Sequence, residues 1–132
     1  MGVPRQKRQI QKIMIVEDEL DILLLYKDFL KSRGYYVISS STTADEALID
    51  YERYVPDLVI IDYKLPGKKN GLQAAKEILT SHRLVTILII TAFEYVKNEI
   101  KADEFFIDKK IKVLIKPVKL SHLADTIMNI NN

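Results

Sequence analysis

The chain has 132 residues, 48% apolar and 29% charged, with a formal net charge of +2 and no cysteine. That is the size of one globular domain able to bury its own core. It excludes disulfides and thiol chemistry, and the charge is too small to point to nucleic acid by itself. The longest apolar runs, such as Ile87-Leu88-Ile89-Ile90, are strand-sized and far too short to span a bilayer. No apolar stretch follows the basic N-terminus as it would in a signal peptide. A reducing cytoplasm suits such a composition.

Residues 1–11 place Arg5, Lys7 and Arg8 among glutamines, which predicts a basic N-terminal tail, solvated or docking an anionic partner. The domain itself is expected over 12–130. Ile13-Met14-Ile15-Val16 reads as a strand buried on both faces, ending at Glu17-Asp18. Leu20, Leu23, Leu24 and Leu30, widened by Ile22, Tyr26 and Phe29, then recur at helical spacing, and Gly34 is expected as a left-handed cap. Tyr35 to Ile38 reads as a second strand. Thr42 or Thr43 caps a second helix with Ala44, Ala47, Leu48 and Tyr51 inside, broken at Pro56. Leu58 to Ile61 is a third strand ending at Asp62. Pro66 to Gly71 is loop chemistry, and Leu72, Ala75, Ile78 and Leu79 mark a third helix. Leu84 to Ile90 predicts a fourth strand ending at Thr91, and Glu94 to Phe106 a charged helix. Ile111 to Ile115 is a fifth strand ending at Lys116-Pro117. Leu120, Leu123, Ala124, Ile127 and Met128 mark a last amphipathic helix.

Five apolar strands alternating with five helices predict an α/β fold, a parallel sheet covered on both faces. Right-handed crossovers make it doubly wound, with ligands bound beyond the carboxyl ends of the strands. Those ends carry Glu17 and Asp18, Asp62, Thr91 and Lys116. In the order 2-1-3-4-5, strands one, three, four and five are neighbours, so three carboxylates, a hydroxyl and an ammonium converge on one cleft. Clustered carboxylates repel, and a hard divalent cation such as Mg2+ relieves the repulsion while keeping positions open for a phosphate oxygen. A carboxylate is a competent phosphoryl acceptor, and the loose transition state needs mainly neutralised charge and positioned oxygens. Each residue also has a plainer reading: Asp18 and Thr91 as helix caps, Asp62 as a turn residue, Lys116 as a solvated charge.

The segments Ile15-Val16-Glu17-Asp18-Glu19, Pro56-Asp57-Leu58-Val59-Ile60-Ile61-Asp62, Leu65-Pro66-Gly67, Ile90-Thr91-Ala92 and Ile115-Lys116-Pro117 together resemble the receiver domains of response regulators, over residues 12–130. The resemblance implies the flavodoxin-like order 2-1-3-4-5 and phosphorylation of Asp62. It implies Mg2+ held directly by Asp18 and Asp62, through water by Glu17, and by the backbone carbonyl of Lys64. Thr91 and Lys116 would contact the phosphoryl group, and the Lys116–Pro117 bond is expected to be cis. Implied partners are a histidine kinase or phosphotransfer protein as donor and a downstream protein target or output domain, with homodimerisation a further mode. No nucleic acid or membrane is expected as a direct partner. No output domain is expected after the last helix, so the chain acts through another protein or is a receiver excised from a longer regulator.

The sequence departs from this family in three places. The loop from Asp62 to Gly71 is one residue longer, and the stretch from Thr91 to Lys116 is about three longer. Val113 stands where the family places an aromatic that follows the threonine inward, with Phe105 or Phe106 as candidate substitutes. The resemblance implies that the residues two beyond the aspartate and two beyond the threonine, here Lys64 and Phe93, shape water access, and a bulky Phe93 then predicts slow loss of phosphoryl. Lys109, Lys110, Lys112 and Lys119 suggest a basic edge for an acidic partner or a solvated one. The competing functions are a receiver-like interaction module that is not phosphorylated, and a flavodoxin-like cofactor binder or small phosphatase. The absence of a glycine-rich first turn argues against a cofactor cradle. Lys64, where a dehalogenase-type phosphatase needs a second Asp, argues against that chemistry.

Overall fold

A computed structural model of the protein describes residues 10–130. Its elements are β1 (Lys12–Val16), α1 (Leu20–Ser32), β2 (Tyr36–Ser41), α2 (Ala44–Tyr54), β3 (Leu58–Asp62), α3 (Gly71–Ser81), β4 (Thr86–Thr91), α4 (Tyr95–Ala102), a 3-10 turn (Glu104–Phe106), β5 (Lys110–Ile115) and α5 (Leu120–Asn129). All strand pairings are parallel, in the order β2-β1-β3-β4-β5. The basic tail expected over residues 1–11 lies outside the described residues as far as residue 9. Ile10 is buried against the sheet, and the N–H groups of Gln11 and Lys12 donate to the Asp57 carboxylate at 3.0 and 2.9 Å. Asp57 thereby ties the start of β1 to the start of β3.

The period of two along the strands divides the core in half. Met14, Val16, Val59, Ile61, Ile87 and Ile89 face α2, α3 and α4. Ile13, Ile15, Leu58, Ile60, Leu88, Ile90 and Leu114 face α1 and α5. Sharing each face between helices narrows the stripe that any one must bury. Leu23, Tyr26 and Leu30 make that stripe on α1, while Leu20 is 64% exposed and Leu24 is also exposed, contrary to the helical-spacing expectation. Leu24 lies about 100° round the helix from Leu23, and Leu20 sits on the opening turn. Met128 on α5 is exposed for the same reason, and Thr126 is buried with its hydroxyl donating to the His122 carbonyl at 2.8 Å.

Several boundaries move relative to expectation. β2 runs on through Ser39 to Ser41, with a register shift that leaves Ile38 unpaired between Val37 and Ser39. β4 starts at Thr86, because the turn closed by Val85 N–H on the His82 carbonyl (3.3 Å) leaves Leu84 76% exposed. The helix expected over Glu94–Phe106 stops at Ala102, where the Asp103 carboxylate accepts the Phe105 N–H at 3.0 Å and starts the 3-10 turn. α3 opens on a cap that loop composition hid. The Asn70 side chain accepts the Gln73 N–H, and the Gln73 side chain accepts the Asn70 N–H. Thr43 is the cap of α2, and Gly34 has the positive φ (91°) expected of it. α2 ends at Val55 with φ 45°, a conformation costly for a β-branched residue, immediately before Pro56.

The two segments expected to be longer than usual are both fastened to the rest of the fold. Lys69, in the longer β3–α3 loop, lies 2.8 Å from Glu77 on α3 and 3.4 Å from Asp45 on α2. The longer segment before β5 is fastened to α3 and its end. Lys76 pairs with Asp103 at 2.7 Å and sits over the Phe105 ring, Arg83 pairs with Asp108 at 2.7 Å, and Phe106 is buried. Phe105 and Phe106 are therefore held against α3, and Val113 packs on the same core half without an aromatic of its own.

Candidate functional site

Sheet parity builds the site. Glu17 continues the row of Ile15, Asp62 that of Ile60, and Lys116 that of Leu114, so these three point to the α1/α5 side of the strand ends. Thr91 continues Ile87 and Ile89 and stands on the α4 side. Backbone bonds hold the ends in line. Glu17 N–H donates to Ser41 O at 2.9 Å, Tyr63 N–H to Ile90 O at 3.1 Å, and Lys116 N–H to Thr91 O at 2.8 Å. The Lys116–Pro117 peptide is cis.

The Lys116 ammonium donates to Asp62 Oδ2 at 3.1 Å. Burial opposes its charge, but the Asp62 hydrogen bond and the Asp62 and Glu17 charges outweigh burial and hold its pKa above the ordinary lysine value. Lys64 N–H donates to Asp62 Oδ1 at 3.3 Å, and the Lys64 side chain is exposed. The Thr91 hydroxyl oxygen accepts the Phe93 N–H at 3.1 Å, leaving its own proton available to a ligand.

Glu17, Asp18 and Asp62 offer carboxylate oxygens within 4.8 Å of one another. Asp18 is exposed, Asp62 is buried, and Glu17 is 2% exposed with neither carboxylate oxygen hydrogen-bonded. Two carboxylates can bond to each other only by sharing a proton. Burial first, then the close Asp62 carboxylate, with Lys116 pulling the other way, push the Glu17 pKa up to about 9 in the cation-free protein. An all-oxygen donor set with one orphaned buried carboxylate fits Mg2+, which takes oxygen ligands and retains waters.

A folded-state pKa above the unfolded value means that the folded protein binds the extra proton. Glu17 then costs no stability below the ordinary glutamate value of 4.5, and its cost grows as pH rises towards about 9. Without divalent cation, the melting temperature is expected to fall through that window. Glu17→Gln should flatten the slope and raise neutral-pH stability, because the amide has no charge to desolvate or to set against Asp62, although its polar atoms remain as buried as those they replace. Melting curves at several pH values check this, and an unchanged slope in Glu17→Gln refutes it.

Tyr26 was legible only as a helix core residue. It is buried on α1 and lines the small cavity under the site with Glu17, Asp62 and Lys116. Burial is the main cause of a raised phenol pKa, so the phenol stays neutral. Only the fold shows this, since Tyr26 and Lys116 are far apart in sequence.

Residues 13–128 match the family model described as the response regulator receiver domain. The chain is a response-regulator receiver domain. This receiver is 32% identical over 117 residues to the transcriptional regulatory protein PdtaR of Mycobacterium tuberculosis, covering 89% of this chain and 55% of that protein. It is 32% identical to the regulator PhoP of Bacillus subtilis, covering 82% of this chain and 48% of PhoP. It spans about half the length of these curated relatives. A receiver domain protein from Clostridium thermocellum superposes with a TM-score of 0.78 at 29% identity, covering 93% of this chain and 95% of that one. A CheY-like receiver from Methanospirillum hungatei gives 0.76 at 25% identity, over 90% and 91% of the two chains. The receiver family belongs to two-component systems and is a signalling domain. No helix among the described residues is long and apolar enough to cross a membrane.

Proposed function

We propose that this receiver takes a phosphoryl group on Asp62 and uses it to switch a protein contact. The observation that carries the reading is the 3.1 Å pair between Lys116 and Asp62 beside a buried, unpartnered Glu17. An Asp62 carboxylate oxygen bonds to phosphorus as the bond from phosphorus to the donor's leaving atom breaks and the leaving atom keeps the electron pair. Lys116 supplies a fixed positive charge to the phosphoryl oxygens, and the Thr91 hydroxyl donates to one of them. Glu17, Asp18, Asp62 and the Lys64 carbonyl are the groups that would hold Mg2+, which when bound supplies further neutralising charge and orients a phosphoryl oxygen.

The family supports a histidine kinase or phosphotransfer protein as donor. A downstream protein target, an output domain or a second copy of the chain would read the result. Phosphorylation adds about two negative charges beside Thr91 and Lys116. Both side chains are drawn to them, which biases the β4–α4 loop and the start of α5 between two packings. The cytoplasm is the compartment in which this chemistry is expected.

Intact-mass measurement after incubation with acetyl phosphate tests the reading. The expected result is gain of one phosphoryl group in the presence of Mg2+ and none with a chelator. A chain that stays unmodified under both conditions is an interaction module with an idle site, and the proposal fails.

A further inference from the structure

The buried stripe of α1 is Leu23, Tyr26 and Leu30. Packing against the sheet asks only for apolar bulk there, and the two leucines supply it without a polar atom. Tyr26 brings a hydroxyl into the same stripe while only 8% exposed, and a buried phenol needs a hydrogen-bond partner. The ring reaches the site from below, sharing one small cavity with Glu17, Asp62 and Lys116. Burial first, and then the charges of Lys116, Glu17 and Asp62, act on the phenol, so its hydroxyl end is the end that faces the charged groups.

The cavity has a volume of about 10 Å³, the space of one water position. Its polar lining is balanced. The Tyr26 O–H and the Lys116 ammonium are donors, and the Glu17 and Asp62 carboxylates are acceptors. Two donors and two acceptors match the two lone pairs and two protons of a single water. The remaining walls are apolar, from Ile15, Val16, Ile60 and Ile90, and offer a water no other partner.

Glu17 supplies an independent observation. It is 2% exposed, and neither carboxylate oxygen has a hydrogen-bond partner among the described residues. A carboxylate that serves a metal is ordinarily held by an outer partner, and losing that partner costs about 10–100-fold in metal affinity. No protein group bonded to Glu17 fills that role, and the cavity beside it opens onto a phenol.

We propose that Tyr26 is a positioning residue whose hydroxyl, through one water held in this cavity, fixes the Glu17 carboxylate for a divalent cation. In the cation-loaded protein the Tyr26 O–H and the Lys116 ammonium donate to the water, and the water donates to Glu17 and Asp62. The inference rests on the Mg2+ site of the proposed function and deepens it, because it brings the inner face of α1 into that site.

The test measures Mg2+ binding to the full chain by calorimetry near neutral pH. Tyr26→Phe removes the hydroxyl and keeps the ring, and it is expected to weaken Mg2+ by about ten-fold. Labelling of Asp62 by acetyl phosphate at saturating Mg2+ should stay at the parent rate, with only the Mg2+ concentration needed for it rising. A crystal structure with Mg2+ should show a water within hydrogen-bond distance of Tyr26 Oη and a Glu17 oxygen. Parent Mg2+ affinity in Tyr26→Phe, or a dry cavity, overturns the inference and leaves the acceptor reading intact. A lower rate at saturating Mg2+ assigns Tyr26 to packing and also overturns it. A parent chain that binds Mg2+ but takes no label sinks the acceptor reading alone, and one that binds no Mg2+ sinks both.

Discussion

Asp62→Asn is expected to take up no phosphoryl group from acetyl phosphate, and Lys116→Ala to slow uptake by about 10²–10³-fold. The two effects differ in kind. An amide at position 62 lacks the negative charge that makes a carboxylate oxygen nucleophilic, so the acceptor is gone. Loss of Lys116 leaves the acceptor but removes the ammonium now 3.1 Å from it, which would stabilise charge on the transferring group. The two variants should also differ in stability. Burial is the larger cause of the raised Glu17 pKa and the Asp62 carboxylate the next, so Asp62→Asn relieves part of it and should melt at or above the parent temperature. Lys116→Ala leaves Glu17 and Asp62 without their nearby cation and should melt lower unless Mg2+ is added. Initial labelling rates by intact mass, with melting curves in parallel, check both. Uptake by Lys116→Ala at the parent rate would remove the lysine from the chemistry.

Gly71→Ala is the substitution outside the charged cluster with the largest expected cost. A Cβ at residue 71 would lie 2.1 Å from the Asp62 carbonyl oxygen, and 2.9 Å from both its carbonyl carbon and Ile61 Cγ2. The Gly71 N–H also donates to the Tyr63 carbonyl at 2.7 Å, so the first turn of α3 cannot slide away without breaking that bond. The neighbour that must move is backbone, at the residue that carries the acceptor. The expected loss is about 3 kcal/mol, or roughly 10 °C in melting temperature. Labelling of Asp62 should be impaired even below the melting point. Gly67→Ala is the control. Its φ of 94° strains any side chain, yet nothing lies within 4 Å, so it should cost only about 1 kcal/mol and leave labelling intact. Equal losses in the two variants would mean that backbone conformation, and not the approach to Asp62, makes residue 71 a glycine.

Much of this was legible in the chain itself. Short apolar strands such as Leu58-Val59-Ile60-Ile61, all buried in the sheet, advertised a sheet covered on both faces. Polar residues at the ends of four strands advertised the site. Helix faces were less legible. Spacing put Leu20, Leu24 and Met128 inward, and all three are exposed, because periodicity marks where a helix could be buried and not how much of it a neighbour leaves uncovered. The stretch after Thr91 was least legible. Its break at Asp103 depends on one side chain capturing the Phe105 N–H, a local competition that propensity does not resolve.

By itself the sequence determined the order of elements, the family, and the acidic, hydroxyl and amine groups that end the strands, because those depend on local pattern and strand period. The tertiary structure alone decided that Glu17 is buried without a partner, that Tyr26 lies under the site, that Gly71 must lack a Cβ, and that Tyr63, Phe93 and Tyr95 meet. Each of those depends on distances between residues remote in the chain, which take definite values only once the sheet has brought their strands side by side.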